Sequence, residues 1–486
     1  MIRPDCESIQ NMAREYSVIP VCREIYADII TPIALLRKLA SISRRCFLLE
    51  SIEGGEKWGR YSFLGFDPVM RVTCKENLIT VERNGEVEEV VTSKPLDILR
   101  DILAQYRSPM MPDMPPFTGG FVGYFAYAMI GYAEPKLHIK RGEFNDYDLM
   151  LFDRVIAYDH LKQKISIIVN MQTDRVMENY GRATAELEAI TRLIREPQVS
   201  SSASVDKHVQ FTCNVSQEEY CRIVERTKEY IQAGDIFQAV ISRQFMAPYQ
   251  GSLLNAYRVL RTTNPSPYMV YMNIDDEEIM STSPETLVRL QNGRLTTFPV
   301  AGSRPRGNTE AEDRRLEQEL LADEKELAEH NMLVDLGRND LGRISEYGSV
   351  EVTDYMAIHR YSTIMHICSQ VEGQILPRCD GCSAIEAVLP AGTLSGAPKI
   401  RACEIIDELE SEPRGIYGGA LGYLDFAGNM DTCIAIRMAV KKGGRVYVQA
   451  GGGIVADSIP QKEYEESGHK ARAVINALIN AGEVDD

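Results

Sequence analysis

Strand-length apolar runs in this chain follow one another through short turns, and that constrains its fold more than any other feature. The run from Val72 to Ile79 leads on to Asn84-Gly85, and Leu287 to Leu295 folds about Asn292-Gly293. Two further runs in 154–170 are separated only by His160-Leu161-Lys162-Gln163, and the run ending near Val440 turns at Lys441-Lys442-Gly443-Gly444. Asn-Gly and Gly-Gly pairs supply the positive φ that tight hairpins need. Tight hairpins join antiparallel neighbours, whereas parallel neighbours need a crossover of a dozen or more residues. Further strands are expected at Cys46–Ser51, within 59–68, within 117–132, at Ile236–Phe245, at Tyr268–Ile274, up to Val371 and at Tyr417–Leu424. Helical spacing recurs at Ile30–Leu39, Leu96–Tyr106, Thr173–Arg195 and Pro398–Glu410. Another helix opens at the capping box Ser216-Gln-Glu-Glu219 and ends at Gly234, and a closing helix carries Pro460 at its first position. The pattern is α+β, with antiparallel sheets packed against helices, and not a doubly wound parallel sheet.

At 486 residues the chain is long enough for two or three ordinary domains or one large composite one. The Ser/Pro-rich stretch EPQVSSSASVDKH, 196–208, buries too little apolar surface to order itself. It reads as a linker or surface loop between an N-terminal region, 1–195, and a larger region, 209–486. A formal charge of −17 argues against a nucleic-acid partner. No apolar run approaches the roughly 20 residues of a membrane span, and the first residues lack the apolar core of a signal peptide. Eleven cysteines, scattered singly except for Cys379 and Cys382, fit a reduced, cytoplasmic compartment. That CxxC has no second pair or nearby histidine to complete a zinc site, so two ordinary thiols are expected.

The densest chemistry lies in 299–340. An apolar lead, Phe298-Pro299-Val300, enters a Gly-Ser-Arg-Pro-Arg-Gly turn, and a charged helix is expected from Glu310 to Leu336, closed by Gly337. Glu326 and Glu329 share a helix face with Leu333 and Leu336, so the two carboxylates are expected to turn inward, where they need a cation. The closing helix repeats the device with Glu463 and Glu466, and Lys470 follows on the same side. Two Glu-x-x-Glu pairs make an oxygen donor set suited to a hard cation such as Mg2+, although one such pair alone is common on a solvated face. Ala391–Lys399, AGTLSGAPK, places small residues before a helix N-terminus, where capping and ligand binding both fit. Three glycines, Gly451 to Gly453, follow a strand, and Arg437 stands inside the apolar run TCIAIRMAV as a candidate anion partner or a buried structural ion. Phosphate-loop, dinucleotide-binding and nucleophile-elbow motifs are absent.

Taken in order, PVAGSRPRG, DEKELAEHNMLVDLGRNDLGR, YSTIMHICSQVEG, PAGTLSGAPKIRACEIIDELE, RGIYGGALGY, IAIR and QAGGGIVADS with the following EYEE resemble the chorismate-utilising enzymes. The resemblance covers essentially all of 210–480, and CFLLES and GGFVGYFAY carry it into the N-terminal region. It implies an α+β sandwich of antiparallel sheets with helices outside, and a Mg2+-dependent lyase. Glu329 and Glu466 match the family's metal ligands, with Glu326 and Glu463 as supporting carboxylates. Gly302, Ser303, Tyr417, Arg437, Gly451, Gly452, Gly453 and Lys470 are the implied substrate contacts. His366 matches the histidine near the substrate's departing hydroxyl, with Thr393 beside it.

Within the family, water-adding members carry a lysine where this chain has Gln238, and aminodeoxychorismate-forming members often carry one where it has Ala301. The resemblance therefore implies the branch that takes ammonia and chorismate to anthranilate and pyruvate. The implied ammonia source is a separate glutamine amidotransferase subunit, because the chain shows no glutaminase motif of its own. Ser51 with Pro267, Tyr268 and Met269 match the branch's L-tryptophan feedback site; from the residues alone they are buried strand segments. Ser303 for threonine, Gly452 for alanine and His469 for asparagine depart from the family pattern. Aminodeoxychorismate formation and a non-catalytic tryptophan sensor are the alternatives.

Overall fold

A computed structural model describes residues 2–51, 59–197, 209–360 and 364–484; most of the expected linker and the glycine turn after Ser51 lie outside them. Every strand pair among the described residues is antiparallel, as the turn pattern predicts, and the strands form two large sheets. The first runs Ile2–Arg3, Val18–Tyr26, Lys164–Gln172, Arg154–Asp159, Tyr61–Phe66, Arg45–Glu50, Tyr268–Ile274, Glu277–Ser283, Met438–Lys442, Arg445–Ile454, Gln238–Pro248 and Thr212–Cys213, with Gly396–Ala397 added on Gln238–Pro248. The second runs Val300–Pro305, Ile364–Gln374, Arg294–Thr297, Thr286–Gln291, Met430–Ile434, Ala420–Asp425, Gly120–Phe125, Tyr147–Phe152, Met70–Lys75, Leu78–Arg83 and Glu86–Val91, with Glu351–Arg360 added on Ile364–Gln374. Both sheets draw strands from either side of 196–208. The strands of the two sides meet where Arg45–Glu50 pairs with Tyr268–Ile274 in the first sheet and where Gly120–Phe125 pairs with Ala420–Asp425 in the second.

The sheets stack face to face, and helices cover the outside. Phe47, Phe63, Phe117, Val122, Phe152, Met272, Leu421 and Met438 fill the layer between the sheets. Strand periodicity sends the alternate residues the other way: Cys46, Leu48, Met269 and Tyr271 pack beneath the helices Pro32–Ile42, Leu254–Thr263 and Pro460–Ile479. The second sheet's outer face packs on Leu96 and Leu99 of Pro95–Ala104 and on Ile385 of Gly381–Val388. Cys382 is buried in that last helix and neither it nor Cys379 is in a disulfide.

Local structure departs from the sequence reading in five respects near the candidate site. The Gly-Ser-Arg-Pro segment is a strand, Val300–Pro305, paired with Ile364–Gln374, where a turn was expected. The single helix expected over Glu310–Leu336 is two, Glu310–Leu321 and Glu324–Gly342. Asp323 starts the second, its Oδ1 accepting from the Lys325 and Glu326 amides at 3.1 and 3.3 Å. Gly337 does not end that helix but lies within it, where an added Cβ would stand 3.2 Å from the Thr297 methyl. The run TCIAIRMAV is not one strand: Met430–Ile434 belongs to one sheet and Met438–Lys442 to the other, and Arg437 sits at the crossing with φ +49°. The three glycines lie inside the strand Arg445–Ile454, not after it.

Candidate active site

Gly451–Gly453 form the floor. One edge of this segment pairs with Val240–Ser242. Its other edge runs past the first residue of Met438–Lys442, whose pairing stops at Ala439 opposite Val448. A Cβ at Gly451 would come within 2.2 Å of the Ile241 carbonyl, so glycine is required there by the neighbouring backbone. A Cβ at Gly452 would stand 3.1 Å from Glu463 Oε2, 3.9 Å from Glu466 Oε1 and 4.0 Å from Lys470 Nζ. At Gly453 it would meet Gln238 Nε2 at 2.0 Å, and that amide reaches Glu329 Oε1 at 3.5 Å.

The acids of two distant helices thus approach one strand. Burial raises the Glu329 pKa above the ordinary carboxylate value and Glu326 adds to it; Lys470, on the other helix, opposes. Glu463 is raised in the same way by burial and then Glu466, with Lys470 and Lys325 opposing. Each helix's glutamate therefore feels a lysine of the other. Glu326 also lies within reach of Arg304, 3.5 Å away. Glu466 pairs with Lys470 at 2.7 Å and is the most exposed of the four. Among the described residues, no group of three or more His, Cys, Asp or Glu converges tightly enough to hold a metal ion unaided. The donor set is nonetheless all oxygen and under like-charge pressure within each pair, and both conditions favour a hard dication. These four residues fit Mg2+ provided a further oxygen ligand completes its shell.

The anion-binding side is built around Arg437. It is half-buried, its charged form is disfavoured by desolvation, and Tyr417 and Glu466 act against the effect. Its Nη1 donates to the Lys470 carbonyl at 2.8 Å. Lys470 Nζ donates in turn to the Gly451 carbonyl at 3.1 Å. Tyr417 is buried beside the Gly451 amide, and desolvation pushes its hydroxyl up to about 12. It enters the site as a neutral donor.

His366 lies on the strand Ile364–Gln374, opposite the exposed Ser303. Gly302, with φ +79°, makes a bulge there and turns its carbonyl toward the imidazole, 3.3 Å from Nδ1. Burial, and Arg437 secondarily through its charge, hold the His366 pKa below its ordinary value, so the ring is neutral at pH 7. Thr393 donates to Glu285 Oε1 and Oε2 at 3.1 and 3.2 Å. Glu285 was not singled out from sequence. It is half-buried, and desolvation pushes its carboxyl up to about 8, against the Thr393 bond. Its charge is also felt by Cys368, which shares a strand face with His366. The signal available in sequence was an acid directly after Pro284 in the otherwise uncharged stretch Met280–Leu287.

Ser51, Pro267, Tyr268 and Met269 come together elsewhere, on the wall of a cavity of about 1030 Å3. The same cavity is lined by Tyr61, Met110, Arg289 and Asp431, and none of the four glutamates borders it. The volume sits at the upper end of the roughly 300–1,000 Å3 typical of small-molecule sites.

A family model for chorismate binding enzymes matches residues 44–476, and the chain belongs to that family. Over its full length it is 46% identical to anthranilate synthase component 1 of Acetivibrio thermocellus, with both chains covered completely. It is 45% identical to the protein of the same name from Pseudomonas aeruginosa, with 98% of each chain covered. Within the chorismate-binding enzymes, the chain is a member of the anthranilate synthase component 1 family and an enzyme. The crystal structure of anthranilate synthase component I from Streptococcus pneumoniae superposes with a TM-score of 0.78 at 37% identity, over 93% of this chain and 99% of that one. The menaquinone-specific isochorismate synthase of Escherichia coli shares the fold, with a TM-score of 0.70 at 17% identity.

Proposed function

We propose that this chain converts chorismate and ammonia to anthranilate, pyruvate and water in tryptophan biosynthesis, in the cytoplasm. The observation that carries the proposal is that the acids of both helices border the glycine strand and its neighbours: Glu463 and Glu466 beside Gly452, Glu329 beside Gln238 and Glu326 beside Gly302, with Tyr417 next to Gly451 and His366 next to Gly302. Chorismate is a dianion. Glu329 and Glu466 would hold a Mg2+, with Glu326 and Glu463 supporting, and the ion would supply charge stabilisation for one substrate carboxylate. Arg437 and Tyr417 bind the other, at the unpaired edge of Gly451–Gly453. Gly302, Ser303, Gly452 and Lys470 border the same space.

Ammonia forms a bond to ring C2 as both ring double bonds shift, C1=C2 to C1=C6 and C5=C6 to C4=C5, and the C4–O bond breaks. The departing hydroxyl needs a proton. Glu285, protonated at neutral pH and bonded to Thr393, is suited to supply it, and the neutral His366 ring orients that hydroxyl. Loss of the C2 proton and cleavage of the C3–O bond then release pyruvate and leave the aromatic ring. Ammonia comes from a glutamine amidotransferase partner. The test is product identification by mass and fluorescence from chorismate, Mg2+ and ammonium: anthranilate is expected, and aminodeoxychorismate or no turnover overturns the assignment.

L-Tryptophan is proposed as the inhibitor held in the large cavity, whose wall the 1–195 region shares with the catalytic 209–486 region. A short connection supports the regulation. The Tyr268 hydroxyl donates to Asp431 Oδ1 at 2.7 Å and lies 3.0 Å from the Thr286 hydroxyl. Thr286 follows Glu285, the partner of Thr393.

A further inference from the structure

Beneath the proposed substrate site lies a buried ion pair that the chemistry above does not use. Arg414 and Glu410 are 5% and 7% exposed and make a forked contact, with Nε and Nη2 of the guanidinium at 2.8 and 2.7 Å from the two carboxylate oxygens. Arg414 also donates to the Leu394 carbonyl through Nη1 and to the Val240 carbonyl through Nη2, both at 2.6 Å. Its guanidinium carbon lies 4.6 Å from the ring centre of Tyr127 and 5.8 Å from that of Tyr417. Glu410 Oε1 accepts from the Ser242 amide and hydroxyl at 2.7 and 2.9 Å, and the Gln449 side chain donates to that hydroxyl at 2.8 Å.

Each of these contacts leads to a different part of the site. Leu394 follows Thr393. Tyr417 faces the Gly451 amide. Val240 and Ser242 are the register partners of Gly453 and Gly451, and Gln449 precedes the glycine run. We infer that Arg414, locked by Glu410, is a positioning residue for the synthase reaction: it sets the Thr393 loop and the Tyr417 ring in register with the glycine strand. Four N–H groups directed at fixed points are beyond lysine, which carries a point charge on a flexible stem. The inference rests on the chorismate reading.

The test uses the full chain with Arg414→Lys and Glu410→Gln, assayed for chorismate KM, kcat and tryptophan affinity. Partial unfolding lowers the active concentration, so it reduces apparent kcat and leaves KM unchanged. Misplacement of substrate-contacting groups raises KM, and misplacement of about 1 Å can cost ~100-fold in rate. For Arg414→Lys a KM increase of about tenfold or more is expected, with tryptophan affinity within about twofold. Unchanged KM overturns the inference. Ser242→Ala removes only the hydroxyl between Glu410 and Gln449, and covers the case in which Arg414→Lys does not accumulate folded. For it a KM rise of about threefold is expected, and an unchanged KM again overturns the idea. Absence of chorismate turnover in the unsubstituted protein would instead count against the proposed reaction.

Discussion

Glu285 shows what desolvation does to one carboxyl. Its folded-state pKa of about 8 lies above the ordinary 4.5. The stability associated with its proton is therefore fully present below pH 4.5 and is lost as pH rises through 8. Glu285→Gln should flatten the decline of stability between those limits, as read by chemical denaturation at several pH values. The same change removes the proposed proton donor, so ammonia-dependent kcat should fall by roughly 10²–10⁴-fold. A loss of tenfold or less would show that another group supplies the proton. Glu326, Glu329, Glu463 and Glu466 were legible in sequence because their spacing repeats on two helices. Glu285 was not, because a single acid has no period, and only desolvation by residues distant in the chain gives it its character.

At the level of elements, hairpins were the easiest to read. Asn84, Asn292 and Gly293 adopt positive φ at the turns their identities announced. The helix break at Asp323 was hidden because charged residues continue on both sides of it, so no change in composition marks the cap. The sheet-to-sheet crossing at 435–437 was hidden for a different reason: both flanking strands are buried, and an unbroken apolar run carries no sign of a change of layer. The glycine strand permits a graded prediction. Gly451→Ala drives a Cβ against the Ile241 backbone, which cannot yield, and should cost about 1–3 kcal/mol or more of stability. Gly452→Ala meets only the movable tips of two glutamates and a lysine, so stability within about 0.5 kcal/mol of the parent is expected. Denaturant titration of the two variants side by side checks the ordering.

On the scale of the whole molecule, the cavity wall and the four candidate acids are separate features, and Tyr268, Thr286 and Glu285 lead from the cavity toward Thr393. Thr286→Val keeps the shape and removes the hydroxyl. Tryptophan binding by calorimetry should persist while the concentration needed for half-inhibition rises about fivefold or more, a coupling loss within the usual 1–3 kcal/mol. Equal inhibition would mean that the signal travels by another route. Charge sets a second molecule-wide expectation. Four carboxylates, one Mg2+ and a dianion sum to −4 before Arg437 and Lys470, so metal and chorismate should each bind weakly without the other. Equal Mg2+ affinity with and without chorismate would contradict this. The antiparallel class was readable from the turns, but the way the two regions share both sheets was not, since nothing local specifies pairing between residues as distant as Leu49 and Val270.

That sharing has a consequence for the covalent chain. The regions before 197 and after 209 are joined through six paired residues in each sheet, at 45–50 with 269–274 and at 120–125 with 420–425. Hydrophobic burial between the stacked layers adds to those ladders. A protease cut between the two regions should therefore leave the fragments associated through gel filtration, and the two pieces produced as separate polypeptides should reassemble into an active whole. The peptide link, on this view, raises the local concentration of two mutually templating parts and is dispensable once they have met.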